Sequence, residues 1–162
     1  MKWLKKWFAR NKTSHPKHDK QIVVTIDEVR KAINAWEHDM PDQIKRTQLL
    51  REDQSVDLAR LTRYLGGTSD QRFYMSRFTY QLFEETDKDI PYYIDMVQAA
   101  VDDYMDEHPK LPVIEGSRNR QIHYDQLIAG HYLKEKPSIP LFLTTDEFLL
   151  THEPEWHVRK LQ

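Results

Sequence analysis

Cysteine is absent from the 162 residues, which excludes disulfides, thiolate metal sites, iron–sulfur clusters and cysteine nucleophiles. Small secreted domains often rely on disulfide staples, so the absence points toward the cytoplasm. Glycine is scarce, at four residues. None of the four sits in a Gly-rich phosphate loop or flanks a hydroxyl in a nucleophile elbow. No apolar run approaches the roughly 20 residues needed to span a bilayer. Nor does an apolar stretch of about 7–15 residues follow the first basic residues, so a secretory signal is not expected.

What is present is polar yet patterned. Charged residues make up 31% and hydrophobic ones 39%, and the apolar positions recur too regularly for a disordered chain. The length suits one compact domain, or two small units sharing a core. The net charge of −2 is unevenly distributed. Residues 1–20 hold seven bases against Asp19 alone, whereas the remaining residues hold 17 bases against 25 acids. Phosphate contacts need a basic face, so this anionic body is not expected to bind nucleic acid.

A shift of about 68 positions brings two segments into register. Ile26, Val29, Ile33 and Trp36 then lie over Ile94, Val97, Val101 and Tyr104. Pro41 meets Pro109, Asp27 meets Asp95, Asp57 meets Asp125, Tyr64-Leu65 meets Tyr132-Leu133, and Phe73-Tyr74-Met75 meets Leu141-Phe142-Leu143. The middle of the alignment fits poorly. The order of residue classes, more than identity, suggests a duplication.

Each half opens with an expected helix. Thr25 stands three residues before Glu28, the spacing of a capping box, and the apolar stripes named above follow at helical period. Strands are expected at 21–24, 48–50, 72–75, 111–114 and 141–143, with short helices at 57–65 and 124–133. Gly66-Gly67 supplies a left-handed stop for the first of these. Ser76 and Thr145 are placed to cap further short helices ending near Glu85 and His152, and 86–91 reads as a short polar join. The expected class is α+β: two related helix-strand-helix-strand-helix units with pseudo-two-fold symmetry around a small mixed or antiparallel sheet. A tail and linker at 1–20 would precede one compact domain at 21–153, with repeats at about 21–86 and 87–153. A short tail at 154–162 would follow.

Two groups of residues are candidates for contact. At the N-terminus, helical winding puts Trp3, Leu4, Trp7 and Phe8 on one arc and Lys2, Lys5, Lys6 and Arg10 on the other. Tryptophan favours the headgroup region, and each base near an anionic leaflet contributes on the order of 1 kcal/mol, so a reversible membrane-surface or partner contact is expected. The second group is a cleft between the repeats, lined by Tyr64, Tyr132, His123 and His131, sized for a small ligand or peptide. His152 and His157 only superficially resemble a zinc motif: they are five apart, and Pro154 interrupts the helix that would align them. No metal site or cofactor is expected. The aromatics Phe73, Tyr74, Phe78, Tyr80 and Phe83, with Phe142 and Phe148, read as core packing and not as a nucleobase platform.

The pieces Val24-Thr25-Ile26-Asp27-Glu28-Val29-Arg30-Lys31-Ala32-Ile33, Phe73-Tyr74-Met75-Ser76 and Lys136-Pro137-Ser138-Ile139-Pro140-Leu141-Phe142-Leu143-Thr144 resemble a family of small proteins from Bacillus-type bacteria. The resemblance covers most of the chain beyond the N-terminal residues. It implies a bacterial cytoplasmic setting, and it brings no activity and no functional residue with it. The expected function is a non-enzymatic protein-interaction or regulatory module, held at the inner membrane face by its N-terminus. The alternative is a ligand-binding protein or small enzyme using the inter-repeat cleft.

Overall fold

The computed structural model describes residues 20–154. In chain order these form helix α1 (Ile26–Asp39), 3-10 turns at Arg46–Leu49 and Leu58–Leu61, and the one-turn helix α2 (Thr62–Leu65). Strands β1 (Phe73–Met75) and β2 (Leu82–Glu84), a 3-10 turn at Glu85–Asp87 and the long helix α3 (Asp89–Glu107) come next. Helix α4 (Tyr124–Ala129) and strands β3 (Phe142–Leu143) and β4 (Leu150–Thr151) complete the order. The class is α+β. In place of one common sheet the described residues hold two antiparallel two-stranded sheets, β1–β2 and β3–β4. Two compact units result. The first runs to Leu49 and resumes at Asp57–Gln71; the second comprises Leu50–Val56 and everything described from Arg72 onward.

In the first unit the capping box forms in both directions. The Thr25 hydroxyl accepts from the Glu28 amide at 3.2 Å, and the Glu28 carboxylate accepts from the Thr25 amide at 2.7 Å. Such a cap is worth about 1 kcal/mol. Val29, Ala32, Ile33 and Trp36 are the buried face of α1, and α1 packs on the Leu58–Leu61 turn and α2. Gly66, at φ 78°, ends α2 by donating to the Thr62 carbonyl. The strand expected at 21–24 is reduced to one parallel bridge, Gln21 to Thr68. The Gln71 side chain takes over at Val24, accepting from its N–H at 2.7 Å and donating to its carbonyl at 3.0 Å. One side-chain amide thereby replaces a strand partner. The strand expected at 48–50 is the 3-10 turn Arg46–Leu49 plus a bridge at Leu50.

In the second unit α3 packs against β2, β4 and α4. Its buried face, Ile94, Val97, Val101 and Tyr104, joins a core with Leu127, Leu141 and Leu150. Burial of each such side chain is worth about 1.5–3 kcal/mol. The helix begins at Asp89, inside the stretch expected to be a join. Pro91 lies in the first turn, where its missing N–H costs nothing. Residues 111–114 hold one bridge, Val113 to Ile122, in place of a strand.

The largest correction concerns the segments after β1 and β3, expected to be helical. Both are turns leading into return strands. The Ser76 amide donates to the Gln81 carbonyl at 3.0 Å, and the Thr144 amide donates to Leu149 at 2.8 Å. Each hairpin is flanked by one further segment. Val56 donates to Phe73 at 2.8 Å and Met75 to Gln54 at 3.0 Å; Ile122 donates to Leu141 at 2.9 Å and Leu143 to Arg120 at 3.0 Å.

Candidate functional site

The two turns carry bulky residues in the left-handed region: Tyr80 at φ 60° and Phe148 at φ 58°. That region favours glycine or asparagine, and an aromatic side chain there is strained by roughly 1–2 kcal/mol. Each of these side chains keeps a face toward solvent: Tyr80 is 39% and Phe148 43% exposed, and Phe78 on the first turn is 44% exposed. The expectation that the aromatics pack together therefore holds for Phe73, Tyr74, Phe83 and Phe142, which are buried, and fails at the three turn positions.

Helix α3 fixes both turns through the side chains of Asp95 and Gln98. The Asp95 carboxylate accepts from the Ser76 hydroxyl at 2.6 Å, from the Arg77 amide at 2.8 Å and from the Phe78 amide at 3.4 Å. It also accepts from the Gln54 side chain, which reaches the Pro91 carbonyl as well. Three residues on, buried Gln98 donates to the Phe148 carbonyl at 3.2 Å and accepts from the Leu150 amide at 2.9 Å. Positions three apart share a helix face, so both turns are drawn to the same side of α3. Asp95 lies well inside the helix, and its work is to hold the first turn. Its sequence counterpart Asp27 pairs instead with Arg30. Ser76, expected as a helix cap, is fully buried, and its hydroxyl accepts from the Thr79 amide.

Charge is segregated between the units. Among described residues the first unit has seven acids and seven bases, and the second has 17 acids against nine bases. Four acids, Asp102, Asp103, Asp106 and Glu107, crowd the C-terminal end of α3 with no base in the last turn. The helix dipole disfavours anions there. Gln98 donates to Asp102 at 3.0 Å and the Tyr132 hydroxyl donates to Glu107. That bond, with lesser help from desolvation and neighbouring acids, pushes the Tyr132 hydroxyl up to about 12.

Three of the four residues of the expected cleft have a local side-chain partner. Tyr64 belongs to the first unit, where its hydroxyl donates to Asp39 at 2.7 Å, a bond that raises its pKa. The other three belong to the second unit. Tyr132 meets Tyr104 and His108 edge-on, and those two rings stack on each other at 4.0 Å. His123 is the N-cap of α4, its Nδ1 accepting from the Gln126 amide at 3.1 Å. His131 is exposed at φ 62°. Trp3, Leu4, Trp7, Phe8, Lys2, Lys5, Lys6, Arg10 and His157 lie outside the described residues. His152 contacts Gln81 at 3.4 Å and the Phe83 ring edge-on.

Each unit also has a surface hollow. One of about 330 Å³ in the first unit is lined by Val24, Glu28, Lys31, Ala32, Ala35 and Tyr64, among others. One of about 640 Å³ in the second lies beside residues 110–115 and α4. Among the described residues no helix is long and apolar enough to cross a membrane. No curated protein and no solved structure matches the chain. A family model does, over residues 19–152, and the chain thus belongs to the family described as protein of unknown function (DUF3939).

Proposed function

We propose that this chain is a non-enzymatic protein-interaction module of the cytoplasm, built by duplication, that presents its two hairpin turns to a basic, apolar segment of a partner. The observation that carries the reading is the exposed aromatic held in a left-handed conformation on each turn, Tyr80 and Phe148. Strain at an exposed position, repeated at matching places, is explained by what the side chain presents outward. Aromatic side chains make effective anchors at protein interfaces. Partner chemistry follows from charge: the turns belong to the acidic unit, and Asp146 and Glu147 precede Phe148.

Duplication is supported by matching bonds. Phe73, Met75 and Ser76 become Leu141, Leu143 and Thr144 at a shift of 68, while Gln54 and Val56 become Arg120 and Ile122 at a shift of 66. Gln54 and Arg120 also share positive φ, at 67° and 55°.

The test is anisotropy of a labelled peptide with the sequence of residues 2–10, a basic amphipathic probe, titrated with the full chain. Asparagine tolerates the left-handed region, so Tyr80→Asn with Phe148→Asn leaves the fold intact and is expected to weaken binding at least about tenfold. Equal affinity for wild type and double variant, or equal binding of a peptide with each base changed to Glu, contradicts the proposal.

We further propose that Trp3, Leu4, Trp7 and Phe8, with Lys2, Lys5, Lys6 and Arg10, contact an anionic membrane surface. In flotation with phosphatidylserine-containing vesicles the full chain is expected in the lipid fraction, and Trp3→Glu with Trp7→Glu in the protein fraction. Co-flotation of both to the same extent rejects this contact.

A further inference from the structure

The hollow of about 640 Å³ in the second unit has a wall of Leu111, Val113 and Ile114, with Ile114 39% exposed. Four polar groups complete its lining: Lys110, Glu115, His123 and Gln126. Two of these are oriented by bonds on the protein side. The His123 Nδ1 accepts from the Gln126 amide at 3.1 Å, which places the proton of a neutral ring on Nε2 as a donor. The Gln126 side-chain NH2 donates to the Tyr104 hydroxyl, which leaves its carbonyl oxygen as an acceptor. Lys110 and Glu115 have no hydrogen bond or ion pair to any described residue. One cation and one anion thus line the same hollow without being spent on each other, together with one neutral donor and one neutral acceptor.

We infer that this hollow binds a free α-amino acid with an aliphatic side chain. Lys110 and the His123 N–H receive the carboxylate, Glu115 and the Gln126 carbonyl receive the ammonium, and Leu111, Val113 and Ile114 receive the side chain. A volume of this size falls within the range of small-molecule sites. The field of the surrounding unit narrows the choice further. With 17 acids against nine bases it repels a bare anion. A zwitterion, neutral overall, escapes that repulsion while still matching both charged groups. A bare amine would satisfy Glu115 but leave Lys110 unmatched.

The experiment titrates the isotopically labelled full chain with leucine, 4-methylpentanoate and isoamylamine, three probes of one shape that differ in charge. Amide chemical shifts are followed, with the Gln126 side chain and the His123 backbone as local reporters. Leucine is expected to move these signals with an affinity at least about tenfold above either analogue. Lys110→Met and Glu115→Gln, both at exposed positions, are each expected to reduce leucine affinity to the level of the matching analogue. The inference is overturned if either analogue binds as tightly as leucine, if no probe binds, if the shifts lie away from residues 110–126, or if the two variants bind leucine like wild type.

Discussion

Asp95 shows how much one side chain can organise. A carboxylate has about four lone-pair sites, and here they receive two backbone amides, a buried hydroxyl and a side-chain amide. Removing it leaves the Ser76 hydroxyl and the Arg77 N–H facing a void, and unsatisfied buried donors cost about 1–3 kcal/mol each. Asp95→Ala is therefore expected to destabilise the protein by roughly 2–4 kcal/mol, read as a lower urea midpoint. Asp27→Ala serves as the comparison, because Asp27 forms only an exposed i,i+3 pair and such pairs contribute about 0.3–0.5 kcal/mol. Equal midpoints for the two variants would show that the Asp95 bonds are not holding the turn. Nothing in the sequence marked Asp95 apart from Asp27, since both align on the same shift. Its partners come from residues 17 to 41 positions away.

At the scale of elements, legibility followed local chemistry. The α1 capping box, the Gly66 stop and strands β1 and β3 were readable because each rests on a residue-level preference with a short-range cause. Strands β2 and β4 were read as helices for a physical reason. A hairpin turn is normally announced by Gly or Asn at the left-handed position, and here Tyr80 and Phe148 occupy it. Without that punctuation, Ser76 and Thr145 looked like helix caps, and the apolar residues after them looked like a helical face. The N-terminal turn of α3 was missed because 86–91 reads as a short polar join, although a proline in a first turn, as Pro91 is, suits a helix start. The Gln71 amide that replaces a strand partner at Val24 has no local signature. The same holds for the candidate sites. The aromatics were visible in the sequence, but their exposure depends on a turn geometry that no nearby residue announces.

At the scale of the whole molecule, sequence order and unit membership diverge. Leu50–Val56 belongs to the second unit although it interrupts the first. This excursion closes on itself, with Arg51 donating to Ser55 at 2.9 Å and Leu50 bridged to Val56. It then supplies β1 with the Val56-to-Phe73 and Met75-to-Gln54 bonds and offers the Gln54 side chain to Asp95. A cut at the obvious boundary, before Arg72, would strip β1 of this neighbour and leave a two-stranded hairpin with an unpaired edge, an arrangement of marginal stability in water. The loss involves at least two backbone bonds and part of the Asp95 cluster, several kcal/mol against a stability of 5–15 kcal/mol typical of whole domains. The fragment 72–162 is therefore expected to show no cooperative urea transition by tyrosine and tryptophan fluorescence. A fragment spanning 50–162, which restores the excursion, is expected to recover one. A sharp transition in 72–162 would mean that the hairpins and α3 suffice by themselves and that Leu50–Val56 is not an integral part of the second unit.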